Sequence, residues 1–179
     1  MKVSQRLVTA SRIMGWLSVA GAVLGPVIVT LCFLFPHSTR VLDIHFNHLG
    51  ADLIEAVPIE FRVPALLCAL LPTGIASFAL VALARLFRCY ASGEVFSGRA
   101  LAALSQVTSA LFWYVLAGFV MQAPISLLLT YYRGHGHRAI SLGFGSDDVE
   151  VLFIAGVTFV IARVMAEARR IADENEGFV

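Results

Sequence analysis

Residues 13–35 read IMGWLSVAGAVLGPVIVTLCFLF, an apolar run without a single charge. A helix rising about 1.5 Å per residue crosses the roughly 30 Å hydrocarbon core of a bilayer in about 20 residues, so this run predicts a membrane span. Residues 63–84 and 107–132 are also long and charge-free. The stretch 149–166 is weaker, because only Val151 to Ala162 lies strictly between charges. Glu150 at one interface and a snorkelling Arg163 at the other bring it to spanning length. Asp147 and Glu150 give it a helix start with acids where the dipole favours them. The expected fold is an all-α integral membrane protein of one domain over residues 1–179. Its four transmembrane helices (13–35, 63–84, 107–132 and 149–166) form a single antiparallel bundle, followed by a helical tail over 167–179.

Composition agrees with this reading. At 59% hydrophobic and 14% charged residues the chain is too apolar for a soluble domain, and at 179 residues it is too short for a large transporter. A net charge of +1, with 13 basic residues scattered among 12 acids, excludes a broad nucleic-acid-binding face. Cys32, Cys68 and Cys89 show no paired spacing, so a disulfide framework is not expected. The first run outlasts the 7–15 residues typical of a signal-peptide core and has no A-x-A cleavage site, so we expect it to remain as an anchor.

Basic residues near span ends favour the cytoplasm. Lys2, Arg6, Arg12, Arg85, Arg88, Arg99, Arg163, Arg169 and Arg170 fall on one side of the expected topology; Arg40, Arg62, Arg133 and Arg138 fall on the other. Both termini are therefore expected in the cytoplasm. Of the two external connections, residues 41–54 carry apolar positions at mixed helical spacing and predict a surface helix, whereas 133–148 is glycine-rich and predicts a mobile loop. Gly21 and Gly25 form a small-xxx-small face suited to close packing within the bundle. Pro26, Pro72 and Pro124 predict local kinks.

Few residues suggest chemistry. His37, His45, His48, His135 and His137 all map outside the spans, which disfavours a haem between helices; their HxxH and HxH spacings are too loose to predict a metal site. Gln122 is the one strongly polar side chain near the middle of a span, and helix tying is its expected role. Its replacement by leucine is expected to be nearly silent. No intramembrane acid of the kind a proton-coupled carrier uses is seen in the spans. The densest pattern is the elbow between spans two and three, where Gly93 should stop one helix after Tyr90, Ser97 should cap the next, and Tyr90 and Phe96 should anchor at the interface.

Leu86, Phe87, Arg88, Tyr90, Gly93, Glu94, Val95, Phe96 and Ser97, with the leucine-rich start of span three, make this elbow resemble one in bacterial membrane proteins grouped as domain of unknown function twenty-nine seventy-five. The closing motif of that family, an acid, an aliphatic residue, Glu-Asn and a final aliphatic residue, is similar to Glu167, Ile171, Glu174, Asn175 and Val179. Ala102, Ala103, Ser105 and Gln106 depart from a more basic family version of the span-three start. The resemblance implies a multi-pass protein of the bacterial inner membrane. Because some members resemble partners of small helix-turn-helix regulators, it also implies a membrane-tethered regulatory role.

The expected function is thus non-enzymatic, without cofactor or catalytic residues, through partner contacts at Tyr90, Gly93, Glu94, Phe96, Glu174 and Asn175. The expected partners are the lipid bilayer, a cytoplasmic protein such as a transcription factor, and a second copy of the chain in a homo-oligomer, with no direct nucleic-acid contact. A small transporter or channel subunit using Gln122, and an external-loop sensor or immunity-type protein using the histidines, are the alternatives.

Overall fold

The computed structural model describes residues 5–36, 54, 56–131 and 140–176, without the side chains at 172, 173, 175 and 176. Four helices carry the fold: α1 (Gln5–Leu34), α2 (Ile59–Ala91), α3 (Gly98–Tyr131) and α4 (Ser146–Glu176). All four are long and apolar enough to cross a membrane, and no strand occurs among the described residues. Each outruns its apolar stretch. At 30, 33, 34 and 31 residues they measure about 45–51 Å against a hydrocarbon core of about 30 Å. A helix satisfies its own backbone in water as in lipid, so the edge of the apolar run gives it no reason to stop. The helices continue through Pro26, Pro64, Pro72 and Pro124. The predicted helix at 41–54 lies outside the described residues except for Ile54, which is buried.

The helices alternate in direction, and each packs chiefly on its neighbour in the chain, α1 on α2, α2 on α3 and α3 on α4. Alanine dominates the buried positions of α2, with Ala65, Ala69, Ala79, Ala82 and Ala84, and α3 adds Ala100, Ala103 and Ala110. Small side chains let backbones approach, which is how helices gain packing energy where lipid removes the hydrophobic incentive. The glycines of α1 serve the same end. Gly15 faces Ala84 and Phe87, Gly21 faces Leu80 and Gly25 faces Thr73, so this face is used within the chain, against α2. Buried side chains gather in two clusters at opposite ends of the molecule. One cluster joins Val29 and Phe33 to Val57, Leu66, Ile125 and Leu129; the other joins Leu86 to Ala100, Ala103 and Leu104.

The fourth passage is built differently. Only 6% of the apolar window of α4 is buried, against 28%, 22% and 17% for α1, α2 and α3. The helix is also displaced toward the elbow. The residues before it fold back along α3: the Gly143 N–H donates to Gln122 Oε1 at 2.8 Å, the Ser141 N–H donates to the buried Ser126 Oγ at 3.0 Å, and Phe144 stacks at a tilt on Phe119 with centroids 6.1 Å apart. Gln122 stands nine residues before the end of α3, so this strap runs about 13 Å inside it. Its polar contacts alternate with apolar side chains, since Ile140, Leu142 and Phe144 are exposed to where lipid would lie. Backbone N–H groups at that depth must find acceptors inside the protein.

Of the glycine-rich connection 133–148, residues 133–139 lie outside the described residues, and 140–145 pack against α3 through these contacts. Gln122 does tie elements together, but it ties α3 to a non-helical strap, and it sits toward the far end of α3 rather than facing a partner helix at mid-span. At the base of the strap the Gly145 N–H donates to Asp148 Oδ2 at 3.0 Å, the reach-back of a helix N-terminus whose third residue is acidic. The acid that performs this role is Asp148, not Glu150.

Candidate functional site

The elbow between α2 and α3 is a closed hydrogen-bonded unit. As α2 runs out at Ala91, the Gly93 N–H donates to the Tyr90 carbonyl at 3.1 Å and the Glu94 N–H to the Cys89 carbonyl at 2.9 Å. This pair of bonds, around a residue with φ of 83°, is the Schellman ending, which places a left-handed residue just past the helix. Any residue with a Cβ is strained there. Gly93→Ala is expected to destabilise the protein by about 1–2 kcal/mol, read from the midpoint of a denaturant titration in micelles, with no loss of helix content elsewhere.

Beyond the turn, Ser97 caps α3. Its Oγ accepts from the Ala100 N–H at 3.2 Å and its carbonyl from Leu101 at 3.1 Å, as its position predicted. Glu94 reaches Arg99 at 3.3 Å across an exposed pair that contributes about 0–1 kcal/mol. Tyr90 turns inward, half buried against the cluster of Leu86, Ala100, Ala103 and Leu104. Phe96 does the opposite and is 61% exposed.

The last turns of α4 join this elbow. Arg169 Nη1 donates to the Phe96 carbonyl at 3.3 Å, and Gly98 lets the guanidinium come close, since a Cβ there would lie 2.9 Å from Arg169 Nη1. On the same side of α4, Ala162 and Met165 pack on the cluster that holds Tyr90. Sequence reasoning passed over Arg169. The signal was present in the spacing 162, 165, 169, one helical face that runs from small and apolar residues to a cation. Glu174 stays within its own helix, 3.6 Å from Arg170 Nε, and Glu167 accepts from Arg170 Nη2 at 2.7 Å. The Asn175 side chain lies outside the described residues. Tyr90, Gly93, Glu94 and Phe96 thus share one turn, with Tyr90 facing the core and Phe96 facing out, and the tail reaches it through Arg169.

No other grouping of reactive side chains stands out. Among the described residues no three His, Cys, Asp or Glu side chains are close enough to hold a metal ion, and all five histidines lie outside those residues. Cys32, Cys68 and Cys89 form no disulfide. What the elbow and tail offer is an exposed aromatic ring on a rigid turn, with charges of both signs around it. Exposed aromatic rings on rigid supports are the groups in which interface energy concentrates.

A family model described as protein of unknown function (DUF2975) matches residues 48–178, which takes in α2, the elbow, α3, the strap and α4. No curated protein matches the chain. No solved structure matches it either.

Proposed function

The chain belongs to the DUF2975 family, and from that premise we propose that it is a non-enzymatic multi-pass protein of the bacterial cytoplasmic membrane whose cytoplasmic face holds a protein partner. The partner class we favour is a soluble regulator such as a transcription factor kept at the membrane. The observation that carries this reading is the junction of Arg169 with the Phe96 carbonyl, which makes one surface of two segments 73 residues apart while the Phe96 ring stays exposed. Aromatic anchors on rigid supports are where interface energy concentrates. The orientation is supported by charge, since the start of α1, the elbow and the end of α4 lie at one end of the molecule and carry the excess of basic residues.

A transporter or channel reading has less support, because the polar side chain that favoured it, Gln122, is occupied by Gly143. Two measurements on the full-length chain test the proposal. A cysteine placed at Ser92 is expected to resist a membrane-impermeant maleimide in intact cells and to react after lysis. In pull-downs from the native host, Phe96→Ala is expected to weaken partner retention by about 1–3 kcal/mol, roughly 5- to 150-fold. Labelling of Ser92 from outside, or unchanged partner recovery with Phe96→Ala, would sink it.

A further inference from the structure

We propose that the groove between α3 and α4 binds one anionic phospholipid, with its headgroup phosphate on Arg163 and an acyl chain along the apolar walls. The groove holds about 600 Å³, within the range of ligand pockets, and is partly open to the surface between two helices long and apolar enough to cross a membrane. Leu101 and Phe112 of α3 and Leu152 and Phe159 of α4 wall it, Ser105, Thr108 and Ser109 add hydroxyls along α3, and Arg163 is its one charged lining residue. From Leu101 to Phe112 it runs about 16 Å along the helix, half of the roughly 30 Å hydrocarbon thickness and so the depth of one leaflet. Its charged end is the elbow end, because Arg163 lies on the same helix six residues before Arg169, which reaches Phe96.

Arg163 carries the argument. It stands between Val160, Ile161 and Ala162 on one side and Val164, Met165 and Ala166 on the other. Among the described residues it has no carboxylate partner. It is about 9 Å further into the membrane than Arg169. An arginine at that depth is costly unless it meets an anion, and a phosphodiester offers its fork a bidentate acceptor. Net negative charge on the lipid adds to this attraction, which selects an anionic headgroup over a zwitterionic one.

The test uses the purified full-length chain in detergent and native mass spectrometry with phosphatidylglycerol or phosphatidylcholine. One phosphatidylglycerol per chain is expected to be retained in preference to phosphatidylcholine, and free glycerol phosphate is expected not to displace it. Arg163→Gln is expected to weaken retention about tenfold, the loss of a charge-assisted hydrogen bond. Gly156→Leu puts a branched side chain into the groove at a position where nothing lies within 4 Å of a Cβ, and it is expected to abolish retention of the chain-bearing lipid. Arg170→Gln, on the exposed tail, is expected to change nothing. Equal retention of both lipids, displacement by glycerol phosphate, full retention in the two groove variants, or a lipid-free dimer would overturn the proposal.

Discussion

Replacing Gln122 with leucine and Ser126 with valine in the same chain will loosen the 140–145 strap and lower the stability of the protein by about 2–6 kcal/mol, about 1–3 for each N–H left without an acceptor. The two side chains accept from Gly143 at 2.8 Å and from Ser141 at 3.0 Å. An ordinary side-chain hydrogen bond between membrane helices contributes only about 0.6 kcal/mol, because its partners pair again elsewhere. A non-helical N–H has no carbonyl of its own helix to turn to, so the loss here should be larger. Denaturant titration in mixed micelles reads the stability, and hydrogen exchange at Ser141 and Gly143 reads the strap. Unchanged stability with unchanged exchange would show that the strap stands without them. A silent Gln122→Leu, the expectation for a lone polar residue in a span, is the outcome that this geometry argues against.

Gly21→Leu is expected to separate α1 from α2 at a cost of about 1–3 kcal/mol, the usual range for overpacking. A Cβ at Gly21 would already lie 3.3 Å from Leu80 Cδ1, so a larger, branched side chain presses on Leu80. Gly21→Ala needs only a small movement of the Leu80 side chain and should be milder. Gly74→Leu is the control, because no atom lies within 4 Å of a Cβ there. Thermal unfolding of the three variants in detergent checks the ranking. Equal loss for Gly21→Leu and Gly74→Leu would mean that the α1–α2 contact is not where the bundle is tight.

The four helices were legible because hydrophobic length is a one-dimensional signal that the bilayer reads directly. Their true ends were not, since polar residues such as Gln5, Thr9 and Arg12 continue a helix as well as apolar ones do. The elbow was readable in detail because its determinants are local: Gly93 and Ser97 act on neighbours within a few residues. The strap was opaque for the opposite reason. Gly143 looks like loop punctuation and Gln122 like an isolated amide until a contact 21 residues long joins them. The same limit hid Arg169, whose acceptor is a carbonyl, a group every residue carries and no pattern distinguishes.

A photoreactive amino acid placed at position 96 in living cells tests the docking surface most directly, because Phe96 is the exposed ring at the junction of elbow and α4. The account predicts an adduct with one cytoplasmic protein at position 96, weakened when Arg169 is replaced by methionine, and none from the same probe at Ile140 on the strap. Lipid adducts alone at position 96, or an adduct with a protein from outside the cytoplasm, would contradict it.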